Sequence, residues 1–457
     1  MQDKSVTLAC GQGFYGDSLR PALRALEVGG IDYLCFDALA ELTLAILAKD
    51  RARDPKMGYT KDLPSMMMEL VPLAKKNGTV IITNGGGLNP SCAAEAIVAA
   101  AKENGIEGLR VAYVEGDDVL ADLGAWQQQG VNIDDYDSGE SFADLATAPV
   151  FANVYLGADS ILDAMQYQPD IVVTGRTTDT AAYLAPAMAA LGFAADDWNK
   201  VATAITVGHL LECGGQGAGG NFSGDWWNVE NLHDIGYPTA KMFADGRVII
   251  SKPEGTGGRI SRDVLKEQLL YEIHDPSCYI VPDVVVDLSD VQLEDIGENQ
   301  VALTGVKGKP APPSLKLIMG LEDGWMSSAQ VSFSWPYALE KAQKTAEIIK
   351  RRMETENIQT DDLVIEYLGV NSIGGPTAPI PPEDMINEVI LRFAMSCKEQ
   401  TDAVTFRKLF PPLYINTFPF VGGLRGTSHV GSLLRQWSCL VPRELLDGKV
   451  NTNVVVS

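Results

Sequence analysis

Ile171-Val172-Val173-Thr174-Gly175-Arg176-Thr177-Thr178-Asp179-Thr180 decides the fold. Its first four residues are β-branched, an apolar run suited to a strand buried on both faces, and a polar turn separates it from an alanine-rich helical stretch over 180–191. Strand, turn and helix recur through the first half of the chain. Residues 6–9 lead through 11–17 to a helix at 20–28, and 31–35 lead to one at 38–47. Residues 80–83 lead through 85–90 to 92–102, 109–114 to 117–128, and 150–152 to 160–165. This alternation predicts an α/β fold with a mostly parallel sheet and crossover helices, Rossmann-like, with ligands held beyond the carboxyl ends of the strands.

From residue 221 to about 306 the texture changes, with Trp226, Trp227 and the turn pairs Asp275-Pro276 and Pro282-Asp283. Short strand-like runs at 301–304, 314–319 and 327–334 and a helix at 337–353 then predict a smaller C-terminal α+β domain, extended by 363–367, 388–394 and a helix at 402–410. The acidic stretch 287–299 sets the expected boundary, giving a large domain over 1–290 and a small one over 291–457. Residues 371–384, with four prolines, read as a long exposed loop.

The 457 residues are 46% hydrophobic and 21% charged, enough apolar material for a sizeable core. Thirty-six Lys and Arg against 60 Asp and Glu give a net charge of −24, a field that repels nucleic acid and anionic membranes. A small anion is not excluded, because backbone N–H groups and a local arginine bind it whatever the global sign. The seven scattered cysteines form no C-x-x-C pair and the four histidines no H-E-x-x-H, so neither a disulfide framework nor a metal site is expected. No uninterrupted apolar run reaches about 18 residues, and Met-Gln-Asp-Lys does not open a signal peptide, so the expected location is the cytoplasm.

Four constellations carry candidate chemistry. Gly11-Gln12-Gly13-Phe14-Tyr15-Gly16-Asp17 is a G-x-G-x-x-G between strand and helix, with Asp37 at roughly the spacing of a ribose-binding acid; it reads either as an anion cradle or as a tight turn. Thr83-Asn84-Gly85-Gly86-Gly87-Leu88-Asn89-Pro90 reads as a close backbone approach to a ligand, with Asn84 and Asn89 as polar partners, or as a structural turn. In the opening stretch, Arg176 is placed to clamp a carboxylate or phosphate beside Thr177 and Thr178, and Asp179 to cap a helix or move a proton. Arg176→Ala is expected to remove binding and spare the fold. In His209-Leu210-Leu211-Glu212-Cys213-Gly214-Gly215-Gln216, His209 and Glu212 share a helix face as base and orienter, or as a pair that steadies a helix end. Cys213 is a candidate thiolate or inert packing, Gln216 an adjoining polar group, and Thr256 lies in a further glycine-rich turn, 254–259. Glu115, Asp117 and Asp118, and likewise Tyr271, His274 and Asp275, read as helix-end residues.

Together these blocks resemble the acyclic terpene utilisation (AtuA-like) family. The resemblance rests on GQGFYGD at 11–17, TNGGGLNP at 83–90, GRTTDTA at 175–181, HLLECGGQGAGG at 209–220, and the stretches 37–47 and 255–275. Residues 282–287, 310–317 and 411–423 extend it, although INTFPFVGG at 415–423 is less glycine-rich than the family's usual version. It implies catabolism of branched carboxylic acids or their CoA thioesters, with a small companion domain, fused or separate, that these residues do not include. The expected activity is that of a lyase, a hydratase/dehydratase or retro-aldol enzyme, with Arg176 and the glycine loops as anchor and Glu212, His209 or Asp179 as base. The sequence itself demands no cofactor and leaves its identity open, CoA entering only where the substrate is the thioester rather than the free acid. The rival readings are a nucleotide-dependent oxidoreductase using Gly11, Gly13, Gly16 and Asp37, and a non-catalytic ligand-binding or scaffold subunit of a two-chain hydratase. The expected partners are a small anionic organic substrate, a companion subunit and further copies in a homo- or hetero-oligomer.

Overall fold

A computed structural model describes residues 4–426 and 430–457. In chain order the strands are β1 (Ser5–Gln12), β2 (Tyr33–Phe36), β3 (Val80–Thr83), β4 (Arg110–Glu115), β5 (Phe151–Val154), β6 (Ile171–Thr174), β7 (Thr239–Phe243), β8 (Val248–Ser251), β9 (Tyr279–Ile280) and β10 (Val285–Asp287). There follow β11 (Gln292–Gly297), β12 (Gln300–Thr304), β13 (Lys307–Lys309), β14 (Ser314–Ser334), β15 (Asp362–Leu368), β16 (Glu388–Cys397), β17 (Val421–Arg425), β18 (Val430–Pro442) and β19 (Asn451–Val456).

Ten of these form one sheet in the order β11-β12-β8-β7-β1-β2-β3-β6-β4-β19. Its middle, β1-β2-β3-β6-β4, is parallel, and every other neighbour is antiparallel. The sheet is therefore mixed, where the sequence pattern predicts a mostly parallel one. The difference is physical: β7–β8 and β11–β12 are hairpins with left-handed turn residues at Gly246 and Asn299, and the two strands joined by a tight turn pair only antiparallel.

Side-chain alternation along β1 and β2 assigns the helices to two faces. Ala9, Leu34 and Phe36 enter a core with Leu26 of the helix Arg20–Val28, Leu70 of Leu63–Asn77 and Ile97 of Pro90–Glu103. Their neighbours Cys10 and Cys35 face the other way, where the thiols donate to the carbonyls of Glu212 and Ala182, in the helices Trp198–Glu212 and Ala181–Leu191. β6 lies between β3 and β4 and is fully buried, as its apolar run requires.

The chain divides into two compact units, one running to Gly320 and taking back Gln436–Ser457, the other Leu321–Arg435. Residue 290, where the sequence suggests a boundary, lies inside the first unit. The second unit has antiparallel strands, β15 and the later part of β14 flanking β16, and helices Ala338–Thr355 and Gln400–Lys408. Its core holds the ring cluster Phe393, Phe406 and Phe410. Among the described residues no helix is long and apolar enough to cross a membrane.

Candidate active-site cleft

The carboxyl ends of β2 and β6 and the C-terminal end of the helix Trp198–Glu212 bring side chains to a cleft in the first unit. It has two lobes of about 550 and about 440 Å³, and Tyr155, Asp179, Glu212, Glu272 and Lys316 line both. The volumes fall in the range of small-molecule sites, roughly 300–1,000 Å³. The larger lobe has an apolar wall that includes Ile273, Val281, Pro312, Leu315 and Leu440. The smaller holds Asp37, Glu41 and Arg176.

Arg176 is 3% exposed. Its Nη1 donates to the Leu39 carbonyl at 2.6 Å and to Asp179 Oδ1 at 2.8 Å, and its guanidinium carbon lies 4.0 Å from the centre of the Tyr155 ring. The Tyr155 hydroxyl donates to Glu41 Oε1 at 2.6 Å, and Lys316 Nζ reaches the same oxygen at 3.1 Å. Burial pushes the Glu41 carboxyl upward, but these two donors outweigh it and bring the group down to about 2. Glu41 is thus an anion clamped between a phenol and an ammonium.

The turn that presents Arg176 is fixed from behind by Asp117, whose Oδ2 accepts from Arg176 N at 2.7 Å and from Asn153 Nδ2 at 2.8 Å. A Cβ on Gly175 would lie 2.3 Å from Asp117 Oδ1, so glycine is required there by a carboxylate of the protein itself. Burial raises Asp117 to about 6.

At the other wall His209 Nδ1 stands 3.1 Å from Glu212 Oε1, and both side chains are buried. Burial first, then the negative charge of Asp179, pushes Glu212 well above the usual carboxylate range, while burial lowers His209. Burial thus favours the uncharged form of each. Asp37, which accepts from Asn84 Nδ2 at 2.6 Å, is raised by the same two causes. Cys213 lines the smaller lobe, and burial raises its thiol, which favours the packing alternative over the thiolate.

The glycine loops serve the protein more than the cleft. Gly13 borders the smaller lobe, yet its N–H donates to Asp17 Oδ2 at 2.9 Å, and a Cβ there would lie 2.8 Å from the Cys213 carbonyl carbon. Gly11 packs under the Phe36 ring, and Gly16 takes a left-handed φ of 91°. In the second loop Gly86 abuts the Thr174 carbonyl, Gly87 abuts Leu47, and Gly85 N–H donates to Thr83 Oγ1. Asn89 caps the next helix through Cys92 N and donates to the carbonyls of Pro55 and Met57. Of that loop only Asn84 reaches the cleft, through Asp37.

Thr178 lines the larger lobe, and Thr177 is buried beside Leu156. Gln216 and Thr256 border two other depressions. The cleft thus gathers Arg176, Asp179, His209, Glu212, Cys213, Thr178 and Gly13. The residues that sequence reasoning missed are Glu41, Tyr155, Lys316, Glu272 and Tyr279. Tyr155, just past a buried strand end, offered the one readable signal. Arg176, buried and bonded to a backbone carbonyl, cannot be neutral to the fold as the sequence reading expects.

The mixed α/β sheet thus positions buried and ion-paired carboxyls, a buried arginine and an apolar wall around one cleft of small-molecule dimensions. The chain matches the family model described as Acyclic terpene utilisation family protein AtuA over residues 6–452, and it belongs to that family. No curated protein and no solved structure matches it.

Proposed function

We propose that the chain is a catabolic lyase of the acid–base kind, a hydro-lyase or carbon–carbon lyase, acting on a small branched hydroxy-carboxylic acid or its acyl-CoA thioester. The observation that carries this reading is that two unlike carboxyls face one cleft, Asp179 paired with Arg176 and Glu212 buried against His209, where burial favours its protonated form. An ion-paired carboxylate and a buried carboxyl facing one ligand can serve as base and acid. Asp179 takes a proton from the carbon beside the acyl carbonyl, and Glu212 balances the charge at the substrate's hydroxyl. Arg176 and Lys316 attract the negative charge that develops on the carbonyl oxygen. The apolar lobe receives the hydrocarbon chain, in keeping with a family named for terpene utilisation.

A nucleotide-dependent reaction finds less support, because the Gly13 N–H that would face a phosphate is engaged by Asp17. The test is a screen of the purified chain against branched 3-hydroxyacyl-CoA thioesters and free hydroxy acids, following conjugated-thioester absorbance and, by mass spectrometry, carbon–carbon cleavage. Turnover is expected to fall by roughly 100-fold or more in folded Asp179→Asn and Glu212→Gln. Ligand binding without turnover, unchanged in both variants, would overturn the enzyme reading in favour of a binding or scaffold subunit.

A further inference from the structure

Besides Arg176 Nε at the smaller lobe, three polar atoms of the cleft have no partner among the described residues: His209 Nε2, Glu212 Oε2 and Thr178 Oγ1. His209 and Glu212 are 2% and 4% exposed, and all three residues line the apolar lobe. Buried polar groups in folded proteins are almost always hydrogen-bonded, so three vacant ones bordering one cavity mark the place of a polar group on a ligand.

We propose that these three atoms form a subsite for a neutral hydroxyl group of the substrate, and that the oxygen leaving or entering there is that of water. The proposal rests on the acid–base reading above and narrows it to hydration and dehydration. With Glu212 protonated, its hydroxyl donates to His209 Nδ1 and the ring hydrogen sits on Nε2. The subsite then offers a ring N–H donor, a carboxyl oxygen as acceptor and a threonine hydroxyl able to do either, which matches an alcohol's one donor and two lone pairs. An anion would suit it poorly, because Asp179 and Glu272 border the same lobe, where Lys316 is already paired with Glu41, and the buried Arg176 lines the other.

In the dehydration direction Asp179 takes the proton on the carbon beside the carbonyl, and that bond's electron pair becomes the new carbon–carbon double bond. The carbon–oxygen bond breaks, its pair stays on oxygen, and that oxygen takes the proton on His209 Nε2, which Glu212 replaces through Nδ1. Water leaves, and exchange with solvent restores the protons. Hydration is the reverse.

Calorimetric titration with 3-hydroxyoctanoate and with octanoate tests the subsite. The wild-type chain is expected to bind the hydroxy acid about tenfold more tightly. Thr178→Val should bring the two acids within about twofold while leaving octanoate affinity unchanged, and Thr178→Ser should keep the preference. Equal affinities in the wild type overturn the subsite but leave the acid–base reading standing, since octanoate still binds; failure of both acids to bind overturns both. With 3-hydroxyoctanoyl-CoA in ¹⁸O-labelled water, label in the recovered alcohol is the expected result, and an alcohol that stays unlabelled overturns water as the leaving group.

Discussion

Arg176 and Tyr155 are stacked, with 4.0 Å between the guanidinium carbon and the ring centre. Because Arg176 also holds Asp179 and Tyr155 also holds Glu41, this contact links the cleft's two outer carboxylates through one packed pair.

Removing the guanidinium strips donors from Asp179 and from the Leu39 carbonyl inside the protein. Arg176→Ala should lower stability by about 3 kcal/mol in urea unfolding. Arg176→Lys should recover less than half of that, because a point ammonium cannot stack on the ring and keep both bonds. A wild-type midpoint for the alanine variant would show that the pair is not structural.

Tyr155→Phe keeps the stacked ring and deletes the bond to Glu41. The folded value of Glu41, about 2, lies below its ordinary one of 4.5, so the stability it contributes is present above pH 4.5 and is lost as pH falls towards 2. The variant should lose less stability than the wild type across that window. Parallel acid titrations followed by circular dichroism measure this, and identical profiles would refute it.

Asp283 gives the opposite sign. Burial raises it to about 6, above its ordinary 3.8, so the folded chain holds the proton more tightly and stability drains as pH rises from 3.8 to 6. Its Oδ1 accepts from Ala158 N at 2.8 Å while Oδ2 has no partner, so an amide fits the site. Asp283→Asn should flatten stability against pH across that window; a profile as steep as the wild type's counts against this assignment.

Gly175→Ala tests the contact behind the Arg176 turn. The new methyl would fall 2.3 Å from Asp117 Oδ1, and the expected loss is about 2–3 kcal/mol with weaker ligand binding. Combining it with Asp117→Ala should cost less than the sum of the single changes. Strict additivity would mean that the two residues do not meet.

The strands β3 and β6 and the turn after β6 are legible in the sequence because short β-branched runs before polar turns are local signals. The antiparallel extension of the sheet is not, since β19 pairs with β4 across more than three hundred residues and nothing local in either marks the partner. The site divides the same way. Arg176 and Asp179, and likewise His209 and Glu212, announce themselves by close spacing. Glu41, Tyr155 and Lys316 meet only because three separate elements converge, and each looks ordinary in its own segment. The glycine loops mislead for a physical reason: a residue without a side chain is needed equally where backbone meets ligand and where backbone meets backbone. Gly13 against the Cys213 carbonyl and Gly86 against that of Thr174 are the second kind.

The pairing of β19 with β4 also orders events in time. Arg110–Glu115 leads directly to Asp117, which steadies the Arg176 turn, yet its outer edge stays open until Asn451–Val456 docks. During synthesis on the ribosome that edge waits for β19, more than three hundred residues further on, a long interval in which unsatisfied N–H and C=O groups invite pairing with another nascent chain.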